Sequence, residues 1–138
     1  MKQLKQLKQE KKLALNFEIK TIPHNEHRYE TVGDYYEENG KDQIRISDMN
    51  NSDYEFLVMI HELIELYLCK KRGIKEGDIS AFDIEFEKNR EEGNVDEPGD
   101  NPNAPYRKEH SFAINIEKQL AIELNVNWAD YDNTINNL

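Results

Sequence analysis

Residues 61–65 read His-Glu-Leu-Ile-Glu inside an almost unbroken apolar run from Phe56 to Leu68. On an α-helix His61 and Glu65 stand four residues apart and project from one face, one turn above the other. An imidazole and a carboxylate so placed can hold one divalent cation between them. Two histidines and one carboxylate with an open position form a catalytic zinc set, so the pair needs one more histidine from elsewhere in the chain. An ion held in this way lowers the pKa of a bound water toward neutrality. Glu62, about 100° round the helix from His61, then stands where a general base takes the proton. Leu57, Val58, Ile64 and Leu68 surround the pair, and a helix apolar nearly all round is a buried one. Burying an imidazole and two carboxylates is costly unless they are paired or hold a metal.

The chain has four histidines. His24 and His27 flank Asn25 and Glu26 in a polar stretch and read as solvated loop residues. His110 falls among Tyr106, Ala113, Ile114 and Ala121 on a helical period, at the edge of a buried stripe, with Glu117 two turns later on the same face. The expected ligands are therefore His61, Glu65 and His110, with Glu62 as the catalytic base. Asp83, spaced with Ile79 and Phe86, points inward, and it and Glu117 are expected as further ligands or as outer partners of a ligand imidazole. Zinc suits this set best; carboxylates added to it make manganese or iron equally suitable. A closed polar network without metal would also satisfy the same side chains. Cys69, one turn beyond Glu65, reads as a buried structural thiol.

The elements that must carry these residues can be read from pattern and punctuation. Leu13, Leu15, Phe17 and Ile19 alternate with polar neighbours until Pro23, the period of a half-buried strand. Residues 28–36 are rich in β-formers, Asn39-Gly40 signals a hairpin turn, and Gln43–Ser47 returns with Ile44 and Ile46 alternating. Ser52-Asp53-Tyr54-Glu55 has capping-box spacing, and the first helix runs from there to Lys70-Lys71-Arg72 and stops at Gly73. A second helix is expected over Glu76–Arg90, with Ile79, Phe82 and Phe86 inward. A turn-rich loop follows over 91–105. A third helix spans Tyr106–Asn125, with Phe112, Ala113, Ile116, Leu120 and Leu124 toward the core. Trp128 and Tyr131 pin the tail to the body. The fold class is α+β: a short antiparallel sheet of about three strands followed by three helices, in one metal-binding domain over residues 13–138.

Composition narrows the function. There are 18 basic against 28 acidic residues, for a net charge of −10. An acidic surface repels phosphate, so general nucleic-acid binding and anionic membranes are disfavoured. Residues 1–12 differ: Lys2, Lys5, Lys8, Lys11 and Lys12 face only Glu10, which reads as a basic, solvated N-terminal arm. One cysteine excludes an intrachain disulfide, and His61, Glu62 and Glu65 interrupt the longest apolar run, so a cytoplasmic location without a membrane span is expected.

The string His61-Glu62-Leu63-Ile64-Glu65, then Ala81-Phe82-Asp83, then Glu97-Pro98-Gly99-Asp100-x-Pro102-x-Ala104-Pro105-Tyr106, then Glu109-His110-x-Phe112-Ala113, resembles a family of small uncharacterised phage and prophage proteins. The likeness covers about residues 53–128 and implies the cytoplasm of a host cell. The strand-rich front and His61-Glu62 helix also resemble a minimal zincin metallopeptidase core, with Glu65 where that pattern has its second histidine. Three functions follow as expectations. The first is a zinc-dependent hydrolase of zincin type. The second is a non-catalytic module, stabilised by its metal, that binds or inhibits a protein or peptide partner. The third is a magnesium-dependent nucleotide pyrophosphatase using Glu62, Glu65 and Asp83.

Overall fold

The computed structural model describes residues 12–138, so the basic arm expected at the amino terminus lies, but for Lys12, outside the described residues. Three strands come first: β1 (Phe17–Ile22), β2 (Gly33–Glu38) and β3 (Lys41–Ser47). Four helices follow: α1 (Ser52–Lys71), α2 (Glu76–Lys88), α3 (Arg107–Glu123) and α4 (Trp128–Asn136). The α+β order is the expected one, but the sheet is mixed rather than antiparallel and, among the described residues, the α-helices number four rather than three.

β3 lies in the middle of the sheet, antiparallel to β2 and parallel to β1. The β2–β3 hairpin turns on Asn39 and Gly40, both with positive φ, as the Asn-Gly pair predicts. The parallel pairing arises from the connection that precedes it. Residues 23–32 carry the chain across two strand spacings, about 10 Å, and leave a slot that β3 fills on its return. Alternation along β1 is compatible with either direction, which is why the pattern alone suggested an antiparallel neighbour. One face of the sheet is apolar, with Ile44 and Ile46 almost fully buried; on the other, Arg45 is paired with Glu18 at 3.1 Å.

α1 is the middle layer, packed on β2 and β3 on one side and on α3 on the other. Leu57 and Val58 meet the sheet's apolar face within one core that also holds Leu66. The helix is not buried all round, as its composition suggested: Phe56 and Tyr67 are exposed. Its N-cap is Asn51, not Ser52, with the Asn51 side chain accepting from the Tyr54 amide at 3.1 Å; Glu55 reaches back to the Met49 amide at 2.8 Å. Its end is a Schellman turn: Gly73 adopts positive φ and donates to the Lys70 carbonyl, and Ile74 donates to Cys69. Asn125 closes α3 in the same way, with Val126 donating to Ala121. Phe112 of α3, expected in the core, is half exposed.

α4 accounts for the tail. Asn127 caps it by accepting from the Asp130 amide at 3.0 Å, and Tyr131 on its inner face is 1% exposed. Between α2 and α3 the long loop forms a 3₁₀ turn at Pro98–Asp100 that packs against both helices. Among the described residues no helix is long and apolar enough to cross a membrane.

The sheet meets α1 most closely at Gly33. A Cβ there would stand 2.7 Å from Glu62 Oε1 and 2.8 Å from both Glu62 Cγ and Val58 Cγ1. Glu62 can swing away, but Val58 is held in the core. Gly33→Ala is therefore expected to lower stability by about 1–3 kcal/mol, read as a shifted urea midpoint. An unshifted midpoint would show that the strand and helix separate without cost.

Candidate metal centre

Each histidine sits on a helix that the core holds firmly, and the two helices face one another. His61 and Glu65 come from α1, one turn apart; His110 and Glu117 come from α3, two turns apart. All four are buried at the α1–α3 contact. His61 Nε2 lies 2.9 Å from Glu65 Oε2 and 3.2 Å from His110 Nδ1, and His110 Nδ1 lies 3.0 Å from the same Glu65 oxygen. Three donor atoms from three residues thus converge on one point, all within 4.8 Å of one another, and could hold a metal ion. Two ring nitrogens 3.2 Å apart share a proton or face each other with repelling lone pairs; a cation satisfies both and the carboxylate together.

Every member of the trio is held from behind. His61 Nδ1 is 2.8 Å from Glu117 Oε1, and the Tyr131 hydroxyl donates to Glu117 Oε2 at 2.6 Å. The Tyr35 hydroxyl donates to Glu65 Oε1 at 2.8 Å. His110 Nε2 faces Glu97 Oε2 at 3.0 Å and Asp100 Oδ1 at 3.3 Å. Neither carboxylate is aligned for a hydrogen bond, so this buried nitrogen has no hydrogen-bond partner. A carboxylate behind each ligand imidazole fixes the ring's orientation and makes it a better donor.

The charges explain how the cluster is tolerated without an ion. Burial opposes a charged imidazole, but the hydrogen bond to Glu65 and the nearby carboxylate of Glu97 outweigh it and hold His110 up at about 10; Glu117 and Glu65 likewise raise His61 well above its ordinary value. Burial works against the Glu65 carboxylate, yet His110 and His61 bring it down to about 2. A proton shared between the two rings thus supplies positive charge that a bound cation would replace, and binding would release it.

Glu62 stands apart from these pairings. Among the described residues its carboxylate makes no hydrogen bond, and burial followed by the charge of Glu65 pushes it well above the ordinary range. It lines a cleft of about 250 Å³ that also reaches His61, Glu65, His110, Gly33 and Tyr106.

Asp83 is not brought to the trio. Its carboxylate accepts from the Tyr29 hydroxyl at 2.9 Å and from the Tyr106 hydroxyl, so it is neither among the converging donors nor the partner of a ligand imidazole. Burial keeps both phenols protonated and able to donate. His24 and His27 are not free loop residues: His24 Nδ1 and His27 Nε2 lie 2.7 and 2.9 Å from the Ser47 hydroxyl, tying residues 24–27 to the end of β3. Cys69 is buried as expected, its thiol pushed up to about 12 by burial and Glu65, which makes it unreactive. Sequence reasoning missed the roles of Tyr35 and Glu97, and it placed Tyr131 against the body without its bond to Glu117. Nothing in the spacing of these residues marks those contacts.

Compared with known proteins, the chain matches no family model, and no curated protein and no solved structure is detectably similar to it.

Two outcomes are expected here. His110→Ala should abolish stoichiometric metal binding, while Glu117→Gln should keep the donors and weaken affinity about 10–100-fold; isothermal titration with zinc measures both. Unchanged affinity in Glu117→Gln would show that His61 needs no support. The second outcome concerns Asp83, which burial pushes up to about 6 against the pull of Tyr106 and Tyr29. Between about pH 4 and pH 6 the folded chain keeps a proton that the unfolded chain loses. Its contribution is therefore complete below that range and lost as pH rises through it. Asp83→Asn, which does not ionise, should gain stability relative to the native chain between about pH 4 and pH 7.5. Urea unfolding at both pH values tests this, and a difference independent of pH would be the contrary result.

Proposed function

We propose that this protein is a metal-dependent hydrolase in which His61, Glu65 and His110 hold a zinc ion and Glu62 is the general base. One observation carries the reading: the unengaged carboxylate of Glu62 opens on the same cleft as the three donor residues. Three protein donors leave one position of a tetrahedral zinc, and a structural site closes that position with a fourth side chain. When bound, the ion supplies Lewis acidity toward a water or a carbonyl oxygen. Glu62 receives the proton of the attacking water and returns it to the leaving group. Burial beside Glu65 raises its affinity for a proton, the direction a group that takes a proton from water requires. Tyr35 and Glu117 hold Glu65 and His61 still while this happens.

The substrate class is a peptide or another amide or ester. The acidic surface disfavours a nucleic-acid substrate. The pyrophosphatase reading needs Asp83 at the ion beside Glu62 and Glu65, and the tyrosines that occupy Asp83 count against it.

Glu62→Gln should keep the metal and the fold and lower turnover about 10²–10⁴-fold. Native protein and variant would be assayed against peptide, ester and nucleotide panels after equal metal loading is confirmed. Equal activity in the variant rules out the general-base role. A fully loaded native protein that cleaves nothing points instead to the metal-stabilised binding module.

A further inference from the structure

We propose that Glu97, Asp100 and Nε2 of His110 form an outer cation site through which a divalent metal ion enters, and that His110 passes the ion inward to Glu65 and His61. The proposal rests on the reading of His61, Glu65 and His110 as a metal site and adds how that site is filled.

The inner donors lie deep: the side chains of His61, Glu65 and His110 are each at most 8% exposed and line the floor of the cleft, which Glu97 and Gly99 also line. An ion must reach them past something. The outer group offers three donor atoms within 4.8 Å of one another, and two of its side chains meet solvent, Glu97 at 42% and Asp100 at 61% exposure. A pair of exposed acids is ordinary by itself. What sets this pair apart is the nitrogen between them: His110 is buried, and its Nε2, at 3.0 Å from Glu97 and 3.3 Å from Asp100, has no hydrogen-bond partner. A buried polar atom without a partner is costly, and a cation held by both carboxylates would satisfy it.

The backbone is built for this approach. Residues 98–100 form the 3₁₀ turn, and Gly99 lies against the His110 ring so closely that a Cβ would overlap it. The turn can press on the imidazole only because residue 99 has no side chain. That contact sets the carboxylates of residues 97 and 100 at Nε2.

The same ring serves both groups, Nε2 outside and Nδ1 inside. A neutral imidazole has one lone pair, so it donates to an ion at one nitrogen and carries a proton on the other. The two groups therefore use His110 in turn. An ion on Nε2 leaves the proton on Nδ1; when the ion moves to Nδ1, that proton is lost and Nε2 takes one up. Glu97, no longer a ligand, is then the carboxylate behind the ring. The direction follows from donor chemistry: two carboxylates hold a hydrated ion loosely, whereas two imidazoles and a carboxylate in a dry site suit zinc better.

The test is the rate of metal uptake. The full chain, stripped with a chelator, is mixed with Co²⁺ in a stopped-flow instrument; the visible bands of the bound ion report uptake, and elemental analysis gives stoichiometry. One ion per chain is expected. Asp100→Asn should slow uptake with the final spectrum unchanged because the inner donors remain, and Asp100→Asn with Glu97→Gln should slow it about tenfold. Asp100 is exposed, so its variant folds as the native chain does. Native uptake rates in both variants, with faster release alone, would overturn the entry role and reduce Glu97 to a support for His110. Two ions per chain would overturn it as well, since the groups would then fill together. Both results leave the inner site standing; failure of the native chain to bind any ion removes both proposals.

Discussion

Where α1 packs on α3, the contact that would ordinarily be apolar is made by His61, Glu65, His110 and Glu117. Four ionisable side chains buried together are unfavourable unless each is satisfied, and removal of one leaves the rest as uncompensated charge. The rest of the molecule can be understood as meeting that demand. Tyr35 comes from the sheet to Glu65, Tyr131 from the last helix to Glu117, and Glu97 from the long loop to the neighbourhood of His110. Strand, loop and tail are thereby tied to one centre.

This arrangement also separates rigid parts from open ones. Ile44, Ile46, Leu57 and Val58 fix α1 on the sheet, and the closeness of Gly33 to Glu62 sets how near the two layers stand. The ligands on α1 are thus placed by core packing, with little freedom to drift. Glu62 turns its carboxylate to the cleft without a hydrogen-bond partner among the described residues. A site with every group engaged would be a staple between helices. The unengaged Glu62 carboxylate is what the proposed hydrolase activity rests on.

The acidic groups around the centre fall into different electrostatic classes. Asp83 is held by two phenols, Asp34 by Arg28 at 2.8 Å, and Glu109 by Arg72 at 2.6 Å. These carboxylates are neutralised or hydrogen-bonded within the structure. Glu62, Glu97 and Asp100 are not tied to a basic side chain other than a histidine; Glu62 and Glu97 line the cleft and Asp100 meets solvent. Function is best sought in that second group.

His61 and Glu65 were legible in the sequence because helical spacing is local: four residues apart on a helix is one place in space, whatever the fold. Caps were legible for the same reason, at Asn39-Gly40 and Gly73, though the N-cap of α1 fell one residue earlier than its pattern suggested. His110 and Glu117 could be picked out by their period among apolar residues, but their meeting with His61 is a property of the α1–α3 packing. The direction of β1, the capture of Asp83 by Tyr29 and Tyr106, and the place of Glu97 beside His110 were decided by tertiary structure alone. Each depends on groups far apart in the chain, and a hydrogen bond between distant residues leaves no periodic trace in the order of amino acids.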